Sequence, residues 1–141
     1  MVKKIAEGKV ERIQEVVLAV KQQDEAVALF EELFGFEFKE SWDMPAYNMK
    51  VKAAKVGDTQ FQIVSPTTPD GVIAKYIRDR GEGLHHIAFM LSDLDKTVTR
   101  LKKRNINLIP ERPVPVEGKA LRYIFVHPKS VHGVLIELIG E

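Results

Sequence analysis

An α+β fold of two tandem βαβββ modules, with curved mixed sheets that form one metal-binding cleft, is what the sequence predicts. Three observations carry that expectation. Short β-branched runs of strand length alternate with two longer stretches whose apolar residues recur at helical spacing. Each helical stretch is punctuated, with Asp24 before the first and Gly35 after it, and Ser92 and Asp93 before the second and Asn105 after it. The two halves also coincide at an offset of 71, which sets Glu15 on His86, Asp24 on Asp95, Val27 on Val98 and Phe30 on Leu101, with the stops Gly35 and Asn105 one residue away from that offset.

The elements follow in order. Val10 to Val20 reads as a buried strand through Ile13, Val16, Val17, Leu18, Ala19 and Val20, with Gln14 and Glu15 near its start. Asp24 stands as the N-cap of a helix carrying Ala26, Leu29, Phe30 and Leu33 on one face. Phe36 to Trp42 alternates and reads as a strand; Asp43 to Asn48, with Pro45 inside, reads as a loop. Met49 to Val56 and Gln60 to Val64 make a hairpin around Gly57-Asp58, with Gln60, Gln62 and Val64 on one face of its second strand. The turn-rich run Ser65 to Gly71 marks the midpoint, and Val72 to Arg80 reads as a short helix stopped by Gly81. A strand headed by His85-His86 comes next, then a helix with Leu94, Val98 and Leu101 inward and Lys102, Lys103 and Arg104 at its C-terminal end, where cations suit the dipole. Leu108-Ile109 begins a strand that Pro110 should cut. A loop holds Pro113 and Pro115, and strands over Ala120 to Val126 and Gly133 to Ile139 end the chain. The layout is one domain: a lead-in over 1–9, a first module over 10–66, a linker and short helix over 67–82, and a second module over 83–141.

Composition narrows the function. With 141 residues, 45% hydrophobic and 29% charged, the chain is long enough for a real core. Its 21 basic and 20 acidic residues leave a charge of +1, which supplies no net basic field for nucleic acid or an anionic membrane. There is no cysteine, hence no disulfide and no thiol nucleophile, as suits a reducing cytoplasm. Glu7 and Gly8 interrupt any apolar leader after Met1, and no apolar run approaches a membrane span. A soluble cytoplasmic protein is expected.

The repeat also picks out polar residues. Glu15 falls on His86, while in the closing hairpin strands Gln62 meets Glu137 at an offset of 75. A strand that packs on a core has no packing reason to keep a polar residue at the matching place in both copies. If the two sheets curve toward one another, Glu15, Gln62, His86 and Glu137 converge as one imidazole, two carboxylates and one amide oxygen. That set suits Co²⁺, Mn²⁺, Ni²⁺, Fe²⁺ or Zn²⁺, and without thiolate nothing favours a soft metal. The ordinary alternative is a Glu15 solvated at a strand end, a Gln62 bonded to backbone, a histidine capping a loop and a Glu137 paired with a lysine.

Several stretches resemble a known family. Ser65-Pro66-Thr67-Thr68-Pro69-Asp70, Ile73 to Ile77, Arg80-Gly81-Glu82-Gly83-Leu84-His85-His86-Ile87-Ala88-Phe89, His127-Pro128-Lys129-Ser130 and Gly133 to Leu138 are similar to the methylmalonyl-CoA epimerases of the vicinal-oxygen-chelate (glyoxalase) superfamily. The resemblance implies a divalent metal on Glu15, Gln62, His86 and Glu137, with His85 a neighbour on the other face. It implies an enzyme that epimerises an α-substituted malonyl-type acyl-CoA by removing and returning the α-proton through a metal-stabilised enolate, and that pairs as a homodimer. Glu137 is then the first acid/base; Glu15, Tyr47 and Lys50 are open choices for the second. Lys129 and Ser130 would bind the substrate carboxylate or a CoA phosphate. Lys75, Arg78 and Arg80 either meet the CoA 3′-phosphate or form a solvated helix face. Two departures stand out: Ile13-Gln14-Glu15 where the family reads Ile-Asp-His, and Pro45-Ala46-Tyr47-Asn48 where it reads Pro-Glu-Gln-Gly, followed by Lys50-Val51-Lys52 in place of a carboxylate. The alternatives are another glyoxalase-type lyase or isomerase, an extradiol-type dioxygenase, against which the Glu15 substitution speaks, and a metal-free small-molecule-binding module.

Overall fold

Ten residues dense in β-branched side chains, Val10–Ala19, form β1, the first strand of a βαβββ plan that the chain carries twice. The computed structural model describes residues 8–141, so most of the expected lead-in lies outside the described residues. The described chain divides into two compact units, residues 15–85 and residues 8–14 with 86–141.

In the first unit the part of β1 from Glu15 onward is followed by α1 (Gln23–Phe34), β2 (Glu40–Met44), β3 (Met49–Val56), β4 (Thr59–Pro66) and α2 (Val72–Arg80). The strands lie in the order β2-β3-β4-β1, with β1 parallel to β4 and the other neighbours antiparallel. One face carries Ile63 with Val27 and Phe30 of α1; the other carries Val17, Ala19, Val51 and Val64 against Ile73 and Ile77 of α2. In the second, β5 (Gly83–Leu91), α3 (Leu94–Lys103), β6 (Leu108–Pro115), β7 (Arg122–Val126) and β8 (Ile136–Gly140) give the order β5-β8-β7-β6, again with the first and last strands parallel. Leu91, Leu94, Val98, Ile124 and Leu138 close its core beneath α3. The two βαβββ modules expected from the repeat are therefore present.

Punctuation works as expected in most places. Asp93 accepts from Lys96 N at 3.0 Å and caps α3, Gly35 ends α1 at φ 74°, and Asn105 takes the left-handed stop at φ 58°. Asp24 is not a cap. α1 starts at Gln23, whose buried amide donates to Lys50 O at 3.1 Å and Ile63 O at 2.9 Å, so a tertiary anchor replaces the side-chain cap. Asp24 instead pairs with Lys52 of β3, and its repeat counterpart Asp95 takes both guanidinium arms of Arg122 from β7 at 3.0 Å. Those hydrogen bonds from the cations hold both carboxyls below the usual aspartate range.

Boundaries moved where packing overrode alternation. Phe36 and Phe38 are not in a strand; their rings join Phe30 and Phe61, with centroids 4.9 Å apart for Phe36 and Phe61, and the ladder begins only at Glu40. β6 passes through Pro110 and Pro113 because it stands at the end of the strand order, where a missing N–H costs no ladder bond, and its register with β7 shifts between Ile109 and Val114. β4 continues through Ser65, whose hydroxyl donates to Val20 O at 2.8 Å. β8 starts at Ile136, three residues later than alternation suggested.

Leu94 is fully buried at the start of α3, and a Cβ on Gly140 would lie 2.9 Å from its Cβ, so helix and strand meet without room to spare. Leu94→Ala is expected to cost about 2–5 kcal/mol in urea unfolding, because so tight a contact cannot collapse around the lost atoms.

Candidate functional site

The second unit supplies a pair of ligand-type side chains. His86 lies on β5 and Glu137 on β8, and the register Ala88↔Glu137 puts both on the face opposite α3. His86 Nε2 and Glu137 Oε1 are 3.0 Å apart, and the side chains keep 12% and 13% exposure. A carboxylate oxygen can only accept, so the imidazole N–H donates. The Phe125 ring, itself opposite Glu137 in register, lies edge to face with the imidazole, ring centroids 5.4 Å apart, and walls the pair.

The first unit holds the counterparts. Glu15 on β1 and Gln62 on β4 share the face opposite α1, and the register Val17↔Gln62 sets Gln62 across from the residue two beyond Glu15. Ala88 is likewise two beyond His86, so the two pairs occupy the same place in their parallel ladders. The offsets of 71 and 75 are thus one structural correspondence. Gln62 is buried, and its Nε2 donates to Gln60 Oε1 at 2.7 Å; Glu15 is half-buried.

The donor set can be tested against a divalent ion. Two atoms bound at about 2.1 Å and about 90° apart lie about 3.0 Å from one another. His86 Nε2 and Glu137 Oε1 have that separation, and a divalent cation bound there would take the place of the proton between them. Nitrogen and oxygen donors in half-buried strand positions fit such an ion.

Other residues singled out by sequence fall in different places. Lys50 does not share a face with Gln62: Lys50 pairs with Ser65 and Ala53 with Gln62, so Lys50 points to the α1 side of its strand and is set aside as an acid/base. Tyr47 ends the exposed 3₁₀ turn Pro45–Tyr47 before β3. His85 meets Tyr76 edge to face, with ring centroids 4.8 Å apart. Lys129 and Ser130 close the 3₁₀ turn Pro128–Ser130 between β7 and β8; Lys129 is exposed, and the Ser130 hydroxyl accepts from Asn107 N at 3.1 Å. On α2, Lys75 pairs with Asp79, Arg78 donates to Pro69 O, and the Arg80 guanidinium lies 5.8 Å from the Tyr76 ring, which is the solvated helix face rather than a set of free cations. Gln60 carries no signal in the repeat. Alternation already put it beside Gln62, but its repeat counterpart is Leu135, and a search for polar residues kept in both copies passes over it.

Residues 14–125 match the family model described as the Glyoxalase/Bleomycin resistance protein/Dioxygenase superfamily. The mitochondrial methylmalonyl-CoA epimerase of Homo sapiens is 30% identical over 129 residues, which cover 90% of this chain and 72% of the human protein. Among solved structures, a variant of Streptomyces coelicolor methylmalonyl-CoA epimerase in complex with 2-nitronate-propionyl-CoA aligns with a TM-score of 0.84 at 27% identity, covering 94% of this chain and 96% of that one. The methylmalonyl-CoA epimerase of Mycobacterium tuberculosis aligns with a TM-score of 0.84 at 28% identity, covering 97% and 92%.

Proposed function

The chain belongs to the glyoxalase/bleomycin resistance protein/dioxygenase superfamily and, within it, to the methylmalonyl-CoA epimerases, and from that premise we propose that it epimerises a malonyl-type acyl-CoA at a divalent ion held by Glu15, Gln62, His86 and Glu137. The observation that carries the reading is the 3.0 Å His86–Glu137 pair, whose ladder position Glu15 and Gln62 repeat. When bound, the ion would act as a Lewis acid toward the thioester carbonyl and lower the cost of losing the α-proton. With Glu137 Oε1 turned to His86, the second carboxylate oxygen of Glu137 is the base that takes this proton. A proton then returns to the opposite face of the same carbon. Tyr47 and Glu15 are the groups for that step, since Lys50 points to the α1 side. Lys129, in its exposed turn, meets the anionic part of the substrate, and Ser130 keeps its own O–H to donate while it accepts from Asn107. The enzyme works in the cytoplasm as a homodimer, and its freedom from cysteine suits a reducing compartment.

Two measurements on the purified protein test the reading together: divalent metal by elemental analysis, and loss of α-deuterium from (2R)- and (2S)-methylmalonyl-CoA. About one bound ion per chain and exchange from both epimers are expected. A metal-loaded sample that exchanges neither epimer overturns it.

A further inference from the structure

The two halves of the repeat differ beside one proposed ligand. Two residues before Gln62, on the same face of β4, stands Gln60; two residues before Glu137 stands Leu135. Gln62 Nε2 donates to Gln60 Oε1 at 2.7 Å, and Gln60 is also the cross-strand partner of Glu15. The chemistry of the two ligand types accounts for the difference. A carboxylate is the same from either end, so Glu137 offers an oxygen whichever way it turns, and an apolar neighbour suffices. An amide has one oxygen and one NH₂, and only the oxygen binds a cation. Gln62 is 6% exposed, so solvent does little to satisfy whichever end is left over.

We propose that Gln60 is a positioning residue: by accepting from Gln62 Nε2 it turns Gln62 Oε1 away from itself and fixes the oxygen as the end presented to a divalent cation. This role rests on the assignment of Gln62 as a ligand. Gln60 thereby completes on the Glu15 side what a symmetric carboxylate supplies on the His86 side. In the observed geometry the NH₂ group of Gln62 is taken up by Gln60, so the end left for a cation is the oxygen.

The test is a double-mutant cycle read in metal affinity. The full chain and its variants Q60L, Q62E, Q60L/Q62E and H86A are titrated with Co²⁺ against a chromophoric chelator, with thermal midpoints as the structural control. Q60L is expected to weaken Co²⁺ binding about 10–100-fold with little change in midpoint, the usual loss when a ligand loses its orienting partner. In the Q62E background the same Gln60→Leu change is expected to alter affinity by less than about threefold, because a carboxylate needs no orienting. Equal losses in the two backgrounds, as a ligand or a merely structural residue would give, overturn the proposal, and so does an unchanged affinity in Q60L. The assignment of the site fails separately: unmodified protein that does not bind Co²⁺, or H86A that binds it as tightly, removes the ligand reading and Gln60's role with it. Loss in H86A with none in Q60L removes only the role of Gln60.

Discussion

Glu137→Gln is expected to slow α-deuterium loss from methylmalonyl-CoA about 10²–10⁴-fold, the usual range when a general base is removed from a proton transfer. The substitution isolates that loss because it changes little else. Glutamine has nearly the shape of glutamate, and its amide oxygen can still accept from His86 Nε2 in the position Glu137 Oε1 holds at 3.0 Å. The core on the other face of β8, Leu138 against α3, is untouched, so the unfolding midpoint should stay near that of the unmodified protein. What disappears is a charged oxygen able to take a proton. An amide oxygen remains a ligand, though a weaker one, so metal affinity falls and excess ion refills the site. Exchange measured at saturating Co²⁺ then separates the two duties of Glu137. If it stays depressed, the carboxylate moves the proton; if it returns to the unmodified rate, Glu137 holds the ion only and another residue is the base.

The parts of the molecule legible in the sequence are those where a local pattern and a tertiary one agree. Val27 and Val98, matched by the repeat, are both buried beneath equivalent helices, and Gly57-Asp58 makes the turn of a hairpin whose register closes at Val56↔Thr59. The pairing of Gln62 with Glu137 came from the same source, since each keeps its place in the ladder. The failures share a cause. Phe36 and Phe38 alternate as a strand would, yet the rings of Phe30 and Phe34 on α1 and Phe61 on β4 offered them a better partner than a ladder. Pro110 breaks a central strand but not one at the end of the order, and a sequence does not say which strand ends the order. Lys50 could be judged only once Ala53↔Gln62 fixed the phase of β3, because one residue of slip carries every side chain to the other face. Gln60 escaped because its function, if orienting an amide, is needed in one copy of the repeat and not in the other.

Glu15 is where the largest loss of metal binding and a gain in rate are both expected, from different substitutions. Glu15→Ala takes a carboxylate from the proposed site and should weaken Co²⁺ by about 10²-fold or more, at or above the top of the range expected for loss of the orienting partner, since the charge itself goes. Glu15→His keeps a ligand and alters the charge. In the proposed site, a divalent ion held by Glu15, Gln62, His86 and Glu137 would be formally neutral, because two carboxylates would balance it. With histidine at position 15, the residue that the resemblance to the epimerases leads one to expect there, the same ion carries one net positive charge. Losing an α-proton leaves negative charge on the substrate, and a positive site favours that change while a neutral one does not. At about 6 Å and an effective dielectric of 20–40, one unit of charge is worth about 1.4–2.8 kcal/mol. Desolvation of the carboxylate and weaker ion binding offset part of this, so Glu15→His should exchange α-deuterium about tenfold faster at saturating metal while holding the ion less tightly. The position of Glu15 makes the exchange of side chains feasible: it is half-buried, two residues ahead of the core residue Val17, and opposite the polar Gln60 rather than a packed apolar neighbour. A faster Glu15→His enzyme means the glutamate tempers a working epimerase. An E15H variant that binds metal and exchanges more slowly would instead assign Glu15 the proton on the second face of the carbon, because histidine would then have replaced an acid/base and not merely a charge.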